Sequence, residues 1–192
     1  MMFRVLLVFA SIAAPLASAV PLNSNANSCP YPNGSDTSIH FWSCAKPSDT
    51  FSVNEISVTD LHGKPMYPVD LKKPIVLNLK SFNKGAAIID DKAEVHVYEY
   101  KKGWASSECK WSEIPTFGLL SSIDECAFTH NCPLEPGVVT LKLQLDLSQF
   151  QAIIALLTKD MPLQLFIRLR NYNPGNIQHE EMACVYVQYR IA

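Results

Sequence analysis

Charge is scarce in this chain: Asp, Glu, Lys and Arg make up 18% of its 192 residues, against about 25% in an ordinary globular domain. An apolar fraction of 48% accompanies the deficit and excludes disorder. Long hydrophobic runs are also missing. Beyond the first twenty residues the longest is the six-residue Ala152–Leu157, far short of a membrane span. No basic stripe is present, which argues against nucleic acid as a partner. The seven glycines are scattered singly, so no Gly-rich loop can cradle a phosphate. A Gly-x-Ser-x-Gly elbow, a His-Glu-x-x-His pair and a calcium loop are absent too. The five histidines, His40, His62, His96, His130 and His179, have no metal-ligand spacing. No Cys-x-x-Cys pair suggests a zinc ribbon or a thioredoxin-like redox site. The expectation is a protein with no enzymatic reaction of its own, no cofactor and no metal.

What is present begins with a leader. Met1–Ala19 carries Arg4, then the apolar run Val5–Ala14, and ends in Ala17-Ser18-Ala19, the pattern of a cleavable secretory signal. Its removal leaves 173 residues, one domain in length, with 15 basic residues against 18 acidic ones. Val20–Ser28 reads as a polar tail, and residues 29–192 as a single domain. Six cysteines behind such a leader, Cys29, Cys44, Cys109, Cys126, Cys132 and Cys184, imply three disulfides formed in an oxidising compartment. Spacing alone leaves all fifteen pairings open. The Asn33-Gly34-Ser35 sequon lies in a Pro/Gly/Ser-rich stretch and is a candidate glycosylation site. The expected destination is the extracellular space or the lumen of an endosome or lysosome.

Alternation of apolar and polar residues recurs between turn signals. Phe51–Val58 is one strand candidate, and Ile75–Phe82, with Ile75, Leu77 and Leu79 on one face, is another. Glu94–Tyr100 places Val95 and Val97 together. Val138–Leu147 alternates most cleanly, with Val139, Leu141, Leu143, Leu145 and Leu147 facing one way. Leu163–Arg170 sets Leu163, Leu165, Ile167 and Leu169 against Gln164, Phe166, Arg168 and Arg170. Ala183–Ile191 closes the chain with Val185, Val187, Tyr189 and Ile191. Period-two patterning without a βαβ rhythm predicts an all-β fold, an antiparallel sandwich of two sheets.

Two apolar stretches break the rhythm. Ser148–Asp160 has Phe150, Ile153, Ile154 and Leu157 at helical spacing, with Ser148 as cap and Pro162 beyond its end. Trp111–Ile123 holds Trp111, Ile114, Phe117, Leu119 and Leu120 around Pro115 and Gly118 with no period. A sandwich core needs neither stretch, and loops ordinarily present polar residues to water. Sheets splayed at one end would let these residues rim an apolar pocket floored by Leu77, Leu79, Val97, Leu143, Leu145, Leu165 and Ile167. Such a concave site suits an acyl chain or a sterol. His179-Glu180-Glu181 and Asp90-Asp91 read as solvated turns. The lysines between Lys64 and Lys110 read as a solvated face that can also meet anionic headgroups.

The cysteines and their surroundings resemble the ML family of secreted lipid-recognition domains. Cys29-x14-Cys44, with Ser35-Asp36-x-Ser38-Ile39-x-Phe41 between, is similar to the opening of the Toll-receptor co-receptor branch. Trp111-x-x-Ile114-Pro115 and Cys126-Ala127-Phe128-Thr129-His130-Asn131-Cys132 resemble the lysosomal ganglioside activator. Cys126-x5-Cys132-Pro133-Leu134-x-x-Gly137 before an alternating strand resembles the Niemann–Pick cholesterol carrier, and Ala183-Cys184-Val185-x-Val187 the family's closing strand. The resemblance covers Cys29–Ile191. It implies an immunoglobulin-like sandwich that holds a lipid between its sheets, with a short helical or loop lid. It also implies a Cys44–Cys184 bond. The cholesterol-carrier pattern adds Cys126–Cys132 and Cys29–Cys109, while the activator pattern adds Cys109–Cys126 and Cys29–Cys132. Implied partners are a lipid ligand, a membrane surface touched transiently, and a luminal glycosidase or a receptor. The chain departs from the family in a missing cysteine after the first strand, a longer Trp111–Ile123 loop and the Ser148–Asp160 insert. These departures fall at the presumed cavity mouth, so ligand identity does not carry over.

Overall fold

The structure, a computed structural model, describes residues 29–103, 107–129, 132–145, 150–155, 157 and 161–192, with backbone alone at 128, 129, 141, 143, 145 and 153. The expected leader Met1–Ala19, the tail Val20–Ser28, the cap Ser148 and His130 lie outside the described residues. Among those residues the strands are β1 His40–Ser43, β2 Phe51–Thr59, β3 Ile75–Asn83, β4 Asp91–Lys102 and β5 Cys109–Ile114. They continue with β6 Ile123–Asp124, β7 Gly137–Leu145, β8 Pro162–Asn171 and β9 Glu181–Arg190. One six-stranded sheet runs β1-β9-β8-β4-β5, with the short β6 also on β4, and a three-stranded sheet runs β2-β3-β7. Every strand pairing is antiparallel. The fold is the expected all-β sandwich. No helix among the described residues is long and apolar enough to cross a membrane.

Register explains how the alternation is used. Leu165 faces Val97 on one side and Val187 on the other, and Ile167 lies between Val95 and Val185. Three neighbouring strands thus turn their branched aliphatics to the same inner surface. Leu163 has no exposed surface at all. At one end Phe51, Ile88, Leu134, Val139 and Met182 close the space between the sheets. Asn83 helps to hold that end, its Nδ2 donating to the carbonyls of Ala86 (2.9 Å) and Leu134 (3.0 Å). Along one long side β2 packs against β1 and β9. On the opposite side a short helix, α1 (Glu125–Thr129), packs against β4, β6 and β7 and so touches both sheets.

The outer face of the six-stranded sheet carries an aromatic ladder. Trp42 stacks on Tyr186 (ring centroids 5.0 Å apart), Tyr186 meets Phe166 (4.9 Å), and Phe166 meets His96 (5.7 Å). These rings stand on neighbouring strands and pack side against side, so they brace the sheet.

Three disulfides use all six cysteines: Cys29–Cys109, Cys44–Cys184 and Cys126–Cys132. This is the cholesterol-carrier set of the two that the family resemblance implied. The first ties the segment ahead of β1 to β5, the second ties the end of β1 to β9, and the third links α1 to the approach to β7. With no free cysteine, the pattern indicates an oxidising, extracellular or luminal environment. Asn33 is exposed in a 3-10 turn, Pro32–Gly34, but its Nδ2 donates to Gln188 Oε1 (2.8 Å).

The helix expected over Ser148–Asp160 is much shorter. Among the described residues it is a single turn, α2 (Gln151–Ile154), preceded by Phe150 and held by Ala155 N–H donating to Gln151 O (2.9 Å). An isolated turn has too few hydrogen bonds to stand alone, so its position rests on packing of Phe150 and Leu157 against the core.

Candidate functional site

Between the sheets lies a cavity of about 300 Å3. A close-packed interior leaves few voids larger than a water molecule, whereas small-molecule sites begin at about this volume. Strands β2, β3, β4, β8 and β9 supply most of its wall. From the three-stranded sheet come Val53, Ile56 and Val58 of β2 and Ile75, Leu77 and Leu79 of β3. Opposite them stand Val95 and Val97 of β4, Leu165 and Ile167 of β8, and Val185 and Val187 of β9. Facing aliphatics that stop short of one another leave a space that water has little reason to fill.

The rim is made where the alternation stops. Pro115 follows β5, and the chain then makes a tight turn in which Leu119 N–H donates to Thr116 O (3.0 Å). Both central residues have positive φ, Phe117 at 51° and Gly118 at 79°, the pattern of a type I′ turn. Glycine accepts this at no steric cost, but phenylalanine does not. Phe117 is 84% exposed and Leu119 56% exposed, so burial within this chain does not offset that strain. The next residue, Leu120, turns inward to line the cavity, and its carbonyl accepts from Val95 N–H (2.8 Å).

Phe150, Ile154 and Leu157 also line the cavity. Leu71, Ile154 and Leu157 also line a second hollow of about 320 Å3, whose remaining wall includes Asp70, Lys72 and Gln151. The α2 turn is therefore a thin partition between an apolar interior and a more polar vestibule.

One lining residue is acidic. Glu125, the first residue of α1, reaches the cavity wall, and its Oε2 is sealed from solvent. It shares a side-chain hydrogen bond with Asp91, which is fully buried at the start of β4. Burial pushes Glu125 up to about 8, and the charge of Asp91 pushes the same way. Burial likewise raises Asp91 to about 6, with Asp124 and Asp90 adding to the rise while hydrogen bonds from Glu125 and the Cys126 N–H oppose it. The pair thus keeps a proton near neutral pH, so it can donate as well as accept. Asp91 Oδ1 also lies 3.1 Å from Cys126 Sγ. That sulfur is bonded to Cys132 and offers no thiolate to a metal.

Several residues singled out from sequence converge on the cavity. Leu77, Leu79, Val97, Leu165, Ile167, Leu120, Phe150, Ile154 and Leu157 all line it. Ile114 is buried in the adjoining core, and Phe117 and Leu119 sit on the rim turn instead of the wall. Trp111 does not belong to the site. β5 continues through it to Ile114, and its ring packs on Tyr100 (4.9 Å) on the outer face of the sheet. The side chains of Leu143, Leu145 and Ile153 lie outside the described ones. In register, Leu143 pairs with Leu77 and Leu145 with Ile75. Asp91 is not the solvated turn residue expected. Asp90 stays at the turn, but Asp91 begins β4 and is covered by α1.

The outer face holds a separate polar cluster. His96 lies between Glu113 (2.7 Å) and Glu94 (3.0 Å), hydrogen bonds that raise its pKa, the larger share coming from Glu113. Arg168 meets Glu181 (2.7 Å) and Glu94 (3.4 Å). His179 stacks on Tyr172 at 3.8 Å. These contacts tie strands and turns together on the surface away from the cavity. No protein-family model matches the chain, and no curated protein matches its sequence.

Proposed function

We propose that this chain is a secreted or luminal lipid carrier that holds a single lipid between its sheets and transfers or presents it. The observation that carries the reading is the apolar cavity, walled by both sheets and screened from a polar vestibule by one turn of helix. The resemblance of its cysteine-centred motifs to the ML family supports the same reading. The carrier makes and breaks no covalent bond. Its rim turn, with Phe117 and Leu119 exposed, enters the membrane interface. The α2 partition then shifts, and a tail moves from bilayer to cavity without passing through water. Apolar area stays covered throughout, at about 25 cal/mol for each Å2 kept dry. Sterols, glycolipids and phospholipids all present such tails.

Native mass spectrometry of the protein purified from eukaryotic cells tests this reading. A co-purifying lipid at one per chain is the expected result. The exposed rim turn supports a second reading, a receptor- or co-receptor-binding module in which Phe117 and Leu119 meet a protein. An empty protein that resists loading with any lipid would favour that module. A carrier that presents glycolipid to a luminal glycosidase would capture that enzyme in a pull-down only when loaded.

A further inference from the structure

The cavity wall is apolar almost throughout, and its one carboxyl lies at a definable place. Ile123 pairs with Ala93, Ala93 with Leu169, and Leu169 with Ala183. Glu125, two residues beyond Ile123, stands level with that row. The α2 partition lies at the other end, beside Leu71 and Ile191, and Ile191 bridges to Val69. From Ala183 to Ile191 a strand advances about 26 Å at its usual rise. Glu125 therefore occupies the end of the cavity remote from the vestibule. A lipid that enters past α2 meets it with its leading end.

Resting on the carrier reading, we propose that Glu125, with Asp91 behind it, selects the leading end of the ligand: an uncharged hydrogen-bonding group, a hydroxyl above all, is accepted and a carboxylate is rejected. A hydroxyl donates to a carboxylate oxygen and accepts from a carboxylic O–H, so it suits the pair in either protonation state. A carboxylate brings a further negative charge close to Asp91, which Asp124 and Asp90 already oppose. Lys142, the titratable residue of the packed strand β7, is exposed. In a site of low dielectric the added charge has no solvent to screen it. A plain methyl end is tolerated but gains nothing from the pair. Ligands of the preferred class include sterols and chain-hydroxylated lipids.

The test uses the purified protein and three competitors that share one carboxylate for the mouth and differ at the far end. Hexadecanoate ends in a methyl, ω-hydroxyhexadecanoate in a hydroxyl and hexadecanedioate in a second carboxylate. Each displaces a fluorescent alkyl dye at neutral pH. The hydroxy acid is expected to bind at least as tightly as hexadecanoate, and the dioate at least about tenfold more weakly than the hydroxy acid. Asp91→Asn should bring the dioate within about threefold of the hydroxy acid, because the charge that the pair retains at neutral pH is gone. Equal affinities for hydroxy acid and dioate in the wild type would overturn the proposal, as would an undiminished gap in a folded Asp91→Asn. Should that variant fail to fold, the wild-type series still decides. Failure of all three to displace the dye, with no lipid co-purifying, would remove the carrier reading and this proposal with it.

Discussion

Replacing Phe117 by Asn and Leu119 by Gln tests the proposed membrane docking apart from folding. Asn tolerates the left-handed conformation at Phe117, so the turn is kept and some strain is relieved. Both side chains are largely exposed, Phe117 at 84% and Leu119 at 56%, so the core loses nothing. Moving an apolar side chain of this size out of water is worth about 1.5–3 kcal/mol when complete. Scaled by the exposed fractions, insertion of Phe117 contributes about 2 kcal/mol and that of Leu119 about 1 kcal/mol. Their joint loss corresponds to about a hundredfold fall in partitioning. Flotation with vesicles of mixed neutral and anionic lipid measures it, with thermal unfolding as the control. Expected is a melting temperature unchanged or slightly raised, together with the fall in vesicle binding. Unchanged binding by a folded double variant would refute insertion of this turn.

Three further outcomes are expected. Ile154→Asp combined with Leu157→Asp places two charges on the partition and should slow lipid transfer between vesicles while circular dichroism still reports a folded sandwich. Removing the Cys44–Cys184 bond, whose partners are 140 residues apart, should lower stability in denaturant by about 5 kcal/mol, and removing Cys126–Cys132, six apart, by about half of that, if chain entropy dominates. Stability should also fall as pH rises. Asp91 and Glu125 have raised values in the fold, about 6 and about 8, so the folded state binds more protons than the unfolded one above about pH 4. Their contribution is complete below that pH and is lost as pH climbs through 6 to 8. The raised His96 acts in the same direction, its contribution being lost as pH rises through its folded value. Melting temperatures measured across this range should decline, and Glu125→Gln should flatten the decline while leaving the His96 share.

The strand faces were legible because alternation needs only the chain itself. In β8 Leu163, Leu165, Ile167 and Leu169 all turn inward as their spacing predicts. Pattern could not say whether such faces meet or stand apart, since a solid core and a cavity wall demand the same residues. Phe166 falls on the polar side of that alternation, and its place in the ladder with Tyr186 and His96 depends on register across three strands. Trp111 was misplaced because Pro115 and Gly118 disrupt the pattern just beyond it, hiding the strand that turns it outward. Glu125 gave no signal. Beside Asp124 and Cys126 it reads as a surface acid, and only the packing of α1 across two sheet edges encloses it. Phe117 and Leu119 were legible as unusual, because apolar residues in a turn conflict with exposure whatever the fold.

The placement of the disulfides has a mechanical consequence. Cys44–Cys184 ties the end of β1 to β9, Cys29–Cys109 ties the segment ahead of β1 to β5, and Cys126–Cys132 is local to α1 and the segment that follows it. None rivets one sheet to the other. The large sheet is a plate stitched along β9, while the β2-β3-β7 sheet is a panel held by chain connections, by oily contact and by the backbone bonds of Val69 with Arg190 and Ala192. If the proposed carrier reading holds, such a panel would ride up on a bulkier cargo and settle on a slimmer one without straining a covalent bond. On that reading the gauge of the cavity would be set by what fills it, and a reducing agent would soften the plate without prising the panel away.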